Sequence, residues 1–187
     1  NHSISVMYLG LTHWGRKEFD QALAQLKKAK SLNSKNIISE KYQGLILERL
    51  GKLSEAESVY LGILKNHPKR ATTNNHLGVL YGAMGRTDEA LKRYARAIQE
   101  KPDFALAHYN YAALLFKLGD QTEAFQEFKL AAKFAPDNTK FQYQLGLFYL
   151  KVRKEENQAN FHIRKSIRLN PNRAIGLEAM VLLEKNL

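Results

Sequence analysis

Residues 71–104 read ATTNNHLGVLYGAMGRTDEALKRYARAIQEKPDF and contain the pattern that decides the fold. Two short amphipathic helices fit this stretch, with a tight turn at Gly85 and Arg86 between them. Proline lacks the backbone N–H that a continuing helix needs, so Pro102 ends the second helix. The stretch contains no catalytic motif, and its significance is that the chain repeats it.

The same landmarks recur every 34 residues. In each of three series the members stand 34 positions apart: Gly51, Gly85 and Gly119; Ala56, Ala90 and Ala124; Pro68, Pro102 and Pro136. A fixed period of about 20 to 50 residues is typical of stacked repeat arrays. One such unit is too small to bury its own apolar face, so neighbouring units must stack to form a continuous core.

The repeat resembles that of the tetratricopeptide repeat (TPR) family. That family places a large apolar residue, a small residue and an aromatic residue, then alanine, aromatic, alanine and proline, at set spacings. In the central repeat these places hold Leu77, Gly78, Tyr81, Ala90, Tyr94, Ala97 and Pro102. The next repeat has Tyr111, Ala112, Leu115, Ala124, Phe128, Ala131 and Pro136. The resemblance implies an all-α fold, a right-handed α-solenoid of about five helix pairs plus a C-terminal capping helix.

The period divides the chain into one array of five repeats and a terminal helix. The predicted repeats span residues 3–36, 37–70, 71–104, 105–138 and 139–173, and the helix spans about 174–186. In the fifth repeat Ala159 stands one place late, which predicts a one-residue insertion in the turn at 152–154. The terminal helix is either a cap over the last apolar face or the first half of a sixth repeat. The start lacks an initiator methionine, so we expect a trimmed or processed fragment. Whether repeats or a membrane anchor precede it is left open by the sequence.

Several polar side chains are placed to cap helices. Ser54 and Glu57 have the spacing of a capping box at the second helix of the second repeat. Asp103 and Asp137 each follow a proline, and we expect them to be the N-caps of the next helices.

Composition excludes several functions. The chain of 187 residues has no cysteine, so disulfides and thiolate metal sites are excluded. Its six histidines form no ligand pair at helical spacing, and no phosphate loop or hydrolase motif is present. No apolar run is long enough to cross a membrane. The sequence therefore predicts a non-enzymatic, soluble protein without cofactor or metal, of the cytoplasm or the bacterial periplasm.

In an array of this kind the first helices line a concave surface and the second helices form the convex back. The inward places of a first helix are its second, fifth, sixth and ninth residues, with the twelfth near the rim. The residues that we expect in a peptide-binding groove are Lys41, Tyr42, Asn75, His76, Tyr109, Asn110, Phe116, Lys140, Tyr143 and Gln144. Aromatic residues are enriched at binding hot spots. A row of side-chain amides can form hydrogen bonds with the backbone of an extended peptide. The resemblance to the TPR family implies such a role for Asn110, because members of that family bind peptides through asparagines at this place.

The interpretation is therefore a protein–protein interaction scaffold that binds an extended or helical segment of a partner within a multiprotein assembly. The net charge of +11 predicts a preference for acidic partners. One alternative is the binding of nucleic acid or another anionic surface, against which the scattered positions of the basic residues argue. Another is a homo-oligomer, formed when an end helix stacks on a second copy.

Overall fold

The computed structural model describes residues 2–171 and 174–185, and this part of the chain is built from α-helices. The chain divides into two compact units, the first ending at Glu100 and the second beginning at Lys101. The first unit contains α1 His2–Gly15, α2 Phe19–Leu32, α3 Ile37–Arg49, α4 Leu53–Asn66, α5 Ala71–Ala83 and α6 Thr87–Glu100. The second contains α7 Ala105–Leu118, α8 Gln121–Phe134, α9 Thr139–Phe148, a π-helical turn Tyr149–Arg153, α10 Glu156–Leu169 and α11 Ala174–Lys185.

Within each unit the helices pack as consecutive pairs. In the first unit α1 packs on α2, α3 on α4 and α5 on α6, and each pair also contacts the next. In the second unit α7 packs on α8 and α9 on α10, while α11 packs on both α9 and α10. The predicted terminal helix is therefore present over 174–185, and residues 173 and 186 of the predicted boundaries lie outside the described residues.

The small residue of each first helix lies against a large side chain of its paired helix. A Cβ atom added to Gly78 would lie 2.5 Å from Cε1 of Tyr94, and one added to Gly10 would lie 2.8 Å from Cγ of Leu26. Gly146 meets Ile163 in the same way, at 2.7 Å from Cγ1. Real Cβ atoms essentially never come so close, so only glycine allows these helix pairs to pack at this distance.

Each turn between paired helices contains one residue in the left-handed backbone conformation. Gly51, Gly85 and Gly119 have φ values of 73°, 75° and 94°, which glycine adopts without steric cost. Lys17 takes the same place in the first pair with φ 63°, and Lys154 takes it in the fifth with φ 56°. The backbone conformation of the turn is thus kept where the glycine is absent.

The fifth turn contains the extra residue that the sequence predicted. In the fourth pair the N–H of Asp120 donates to the carbonyl of Leu115, five residues back, at 3.0 Å. In the fifth pair the N–H of Glu155 donates to the carbonyl of Tyr149, six residues back, at 3.0 Å. The insertion is absorbed by the π-helical turn Tyr149–Arg153, because one extra residue in a helical turn widens it to π geometry.

The predicted caps are wrong. Helix α4 begins at Leu53, so Ser54 lies inside the helix and Lys52 is the N-cap. The N-caps of α7 and α9 are Phe104 and Asn138, one residue later than the predicted Asp103 and Asp137. The reason is a β-turn after each helix: the N–H of Phe104 donates to the carbonyl of Lys101, and that of Asn138 to Ala135. Proline and aspartate fill the two central places of these turns, so the cap is the following residue.

In α3, α5, α7 and α9, the first helices of the last four pairs, the fourth residue is polar and interacts with a neighbouring element of the chain. The sequence analysis did not predict these contacts. Nζ of Lys30 lies 2.7 Å from the Glu40 carboxylate, and Nδ2 of Asn74 donates to Glu100 at 3.0 Å. Nδ1 of His108 lies 2.5 Å from Oε2 of Glu127, and its Nε2 lies 2.9 Å from the carbonyl of Pro102.

His108 has an acceptor at each ring nitrogen, and neither a carboxylate nor a carbonyl can donate to it. Burial by itself lowers the pKa of His108, but the hydrogen bonds to Glu127 and Pro102 and the charge of Glu127 together raise it above its ordinary value. The imidazolium is therefore the form that this site stabilises.

We expect the glycine contact to be essential to pairing. Gly78→Ala forces the added methyl against the buried ring of Tyr94, which cannot swing out, so it should lower the free energy of unfolding by about 1–3 kcal/mol. Gly82→Ala in the same helix is the control, since nothing lies within 4 Å of its Cβ position. Urea unfolding followed by circular dichroism measures both. Equal stability of the two variants would contradict this account.

We also expect the stability to depend on pH through His108. Because its pKa is raised in the folded chain, its contribution is fully present below the unfolded value of about 6.5 and is lost as pH rises through the folded pKa. His108→Gln should remove this part of the pH dependence in urea unfolding between about pH 5 and pH 9. His162→Gln is the control: burial and Lys165 lower its pKa, so its contribution has the opposite sign. A profile unchanged by His108→Gln would contradict the assignment.

Candidate interaction surface

The inward places of the first helices carry apolar side chains that remain exposed. Ile38 and Val79 are exposed in the first unit, and Leu106 and Phe116 in the second, with Phe116 44% exposed. Ile38 and Leu106 hold the second place of their helices, Val79 holds the ninth and Phe116 the twelfth.

In the first unit Lys41 and Tyr42 form a cationic and aromatic cluster with Trp14. Nζ of Lys41 lies 4.5 Å from the centre of the Tyr42 ring, and Trp14 meets the same ring edge-on with centroids 6.1 Å apart. Tyr8, which stands 34 positions before Tyr42, is 61% exposed. The sequence reasoning missed Tyr8 and Trp14 as surface residues, although the 34-residue register relates them to Tyr42 and Phe116.

His76 lies beside this cluster and is held neutral. Its ring stacks on Tyr60 with centroids 5.5 Å apart and planes 9° apart. Burial, and then the positive charge of Lys41, lower the pKa of His76 to about 4. At neutral pH the ring is therefore uncharged and has one nitrogen that donates a hydrogen bond and one that accepts. Asn75 is only 2% exposed, so its amide lies within the helix packing.

In the second unit Tyr109 and Lys140 are in contact. Tyr109 is 8% exposed because it stacks on Phe141, at 4.8 Å, and meets the edge of Phe128, at 5.7 Å. Nζ of the exposed Lys140 lies 4.6 Å from the centre of the Tyr109 ring. Tyr109 therefore positions Lys140 rather than offering a free aromatic surface, while Asn110 beside it is half-buried.

Tyr143 faces the terminal helix. It is 9% exposed, and burial followed by the negative charge of Glu178 on α11 raises its pKa. The sequence pattern placed this side chain in an open groove, but α11 packs on α9 and covers part of that face. The covering helix could not be foreseen from the position of Tyr143 within its own repeat.

Phe116 and Gln144 meet at a pocket between α7 and α9, here called the α7–α9 pocket. Its volume is about 230 Å³, and its lining is Phe116, Phe128, Gln144, Leu147, Phe148, Lys151 and Val152. Phe116 packs edge-on against Phe148, with centroids 5.6 Å apart. Lys151 and Val152 belong to the π-helical turn, so the widened turn contributes to the wall of the pocket. The pocket combines an apolar interior with one amide and one cation.

The described residues contain no group of three or more histidine or acidic side chains placed to hold a metal ion. Within the same ranges, no helix is both long enough and apolar enough to span a lipid bilayer.

Comparison with known proteins identifies the repeat. The family model described as tetratricopeptide repeat matches residues 7–71 and 75–139, well over half of the chain. The chain belongs to the tetratricopeptide repeat family, and the predicted all-α fold of TPR helix pairs is confirmed. No match was found among curated protein sequences.

Solved structures with the same fold are numerous. A thermophilic TPR protein of Thermus thermophilus is 18% identical with a TM-score of 0.79, covering 97% of this chain and 98% of its own. PilF of Pseudomonas aeruginosa is 16% identical with a TM-score of 0.82, covering 98% and 85%. YrrB, described as a TPR protein with an unusual peptide-binding site, is 20% identical with a TM-score of 0.62, covering 95% and 91%. At these identities the likeness establishes the fold alone.

Proposed function

We propose that this protein is a non-enzymatic scaffold that binds a segment of another protein against its first helices, as part of a multiprotein assembly. The TPR family typically mediates protein–protein interaction. The single observation that carries the proposal for this chain is the α7–α9 pocket, with the exposed ring of Phe116 at its rim.

The chemistry of the pocket defines the segment. An apolar side chain of the partner would enter between Phe116 and Leu147 and remove both from water. The amide of Gln144 would bond the partner's backbone, because it offers both a donor and an acceptor. Lys151 at the wall favours a carboxylate beside the side chain that enters the pocket.

The first unit offers a second contact of similar chemistry. The cluster of Lys41, Tyr42 and Trp14, with the neutral ring of His76, presents aromatic area and one cation. Amphipathic aromatic residues bury large areas at low entropic cost and are frequent hot spots. Each unit therefore has a surface of its own to which a partner could bind.

Two of the similar structures agree with a role in binding. YrrB has an unusual peptide-binding site. Another similar structure is that of the APC/C hetero-tetramer Cut9–Hcn1, at 17% identity and a TM-score of 0.76, covering 95% of this chain and 35% of its own. These properties belong to those proteins, and for this chain they support the class of function without naming its partner.

We expect the binding of the partner to depend on Phe116. The native chain and the Phe116→Ala variant would be used to isolate proteins from lysate of the source cell, with mass spectrometry to identify what the native chain retains. Titration calorimetry with the purified partner should then show an affinity lower by about tenfold or more for Phe116→Ala, since a truncated hot-spot residue costs over 1 kcal/mol.

The matched control is Phe161→Ala. Phe161 is an exposed phenylalanine on the second helix α10, outside the α7–α9 pocket. Phe161→Ala should leave the affinity for the partner within about twofold of that of the native chain. Circular dichroism should show that both variants are folded. Equal losses in the two variants, or retention of the partner by Phe116→Ala at native affinity, would overturn the proposal.

A further inference from the structure

A second recess lies in the second unit and has no lining residue in common with the α7–α9 pocket. It has a volume of about 300 Å³ and runs between α8 and α10, so we call it the α8–α10 groove. Its floor is formed by Ala132, Leu145 and Tyr149, and its rim carries Lys129, Lys133 and Lys165. Basic side chains around an apolar floor distinguish it from the α7–α9 pocket.

The three rim lysines have no carboxylate partner among the described residues. Lys129 and Lys133 contact only aromatic rings, those of Phe125 at 5.4 Å and Phe134 at 5.8 Å. By contrast, Lys30 in the first unit lies 2.7 Å from the carboxylate of Glu40. Lys129 and Lys133 are one helical turn apart on α8, and Lys165 lines the same recess from α10. Like charges gathered around one cavity repel one another, and an anionic ligand would relieve that repulsion.

The polar centre of the groove is fixed by a chain of hydrogen bonds. Nε2 of Gln142 donates to the carbonyls of Pro136, at 2.9 Å, and Ala132, at 3.3 Å. Its Oε1 is therefore an acceptor, and Nδ1 of His162, 2.8 Å away, must be the donor. The His162 ring also stacks on Tyr149, with centroids 5.5 Å apart and planes 6° apart.

The remaining nitrogen of His162 is then an acceptor. Burial, followed by the positive charge of Lys165, lowers the pKa of His162, which keeps the ring neutral at neutral pH. With Nδ1 protonated, Nε2 has a free electron pair in the neutral tautomer. The groove thus combines three cations with one fixed ring that accepts a hydrogen bond.

We propose that the α8–α10 groove binds an acidic segment of a partner protein, whose carboxylates pair with Lys129, Lys133 and Lys165 around an apolar side chain that enters the recess between α8 and α10. This site is separate from the α7–α9 pocket and holds whether or not that pocket binds a partner. It assigns the second helices of this unit a binding role of their own.

The shape and composition of the groove favour a peptide over other anions. The lysines surround a recess, whereas a flat anionic membrane would need them on a protruding surface. Single-stranded nucleic acid binds by stacking its bases on exposed aromatic rings. The ring of Tyr149 is buried and covered by His162, so it is closed to such stacking.

The test uses the full chain and a defined probe. The probe is a fluorescein-labelled pentapeptide with a central leucine between two pairs of glutamates, and its comparison peptide has glutamines in place of the glutamates. The groove variant combines Lys129→Ala, Lys133→Ala and Lys165→Ala. The control variant combines Lys27→Ala, Lys28→Ala and Lys92→Ala, which removes the same charge from exposed positions on α2 and α6.

Fluorescence polarisation should show saturable binding of the glutamate peptide to the native chain. The affinity should be about tenfold lower for the groove variant and within about twofold of the native value for the control variant. The glutamine peptide should bind weakly to all three proteins. Equal loss in both variants would overturn the proposal, since it would reflect net charge alone. Equal binding of the two peptides, or no saturable binding, would also overturn it. So would groove-dependent binding of phosphatidylserine vesicles or of a single-stranded oligonucleotide in place of the peptide.

Discussion

The fold depends on the close approach of a small residue in each first helix to a large side chain in its paired second helix. Gly78 against Tyr94 and Gly10 against Leu26 leave no room for a Cβ atom, and Ala112 takes the same place in the fourth pair. The contact fixes the rotation of the first helix, because only one of its faces can approach so closely. The opposite face, with its second, sixth, ninth and twelfth places, is turned away from the pair. This is why apolar side chains such as Ile38 and Phe116 remain exposed instead of joining the core.

The one departure from the period has a local effect on the candidate surface. The inserted residue of the fifth pair widens the end of its first helix into the π-helical turn Tyr149–Arg153. Gly146 still meets Ile163, so the pairing of α9 with α10 is preserved. The extra residue is accommodated beyond that contact, where Val152 and Lys151 line the α7–α9 pocket. An irregularity in the repeat thus coincides with an apolar recess on the first helices of the second unit, and π-helical turns are frequent at functional sites.

The period of 34 residues was sufficient to predict the helix pairs and the insertion, since both follow from local spacing. The helix caps were missed by one residue, because the proline turns place Asp103 and Asp137 inside a β-turn. The hydrogen-bond partners of the buried Asn74 and His108 were also missed, because they lie on other helices, whose positions relative to these residues are set by packing. The positions of Tyr109 and Tyr143 within their own repeat gave no warning that neighbouring helices would cover them. What sequence register predicts is the face on which a residue lies; its exposure depends on the adjacent repeat.

The central claim is that the first helices, and the α7–α9 pocket above all, bind the partner segment. The most direct measurement is hydrogen–deuterium exchange, read by mass spectrometry, on the full chain alone and in complex with the protein that it captures. The account predicts slower exchange in the complex for peptides that cover residues 147–153, where the pocket wall and the π-helical turn lie. Unchanged exchange over 147–153, with slowing confined to the second helices α8 and α10, would contradict it.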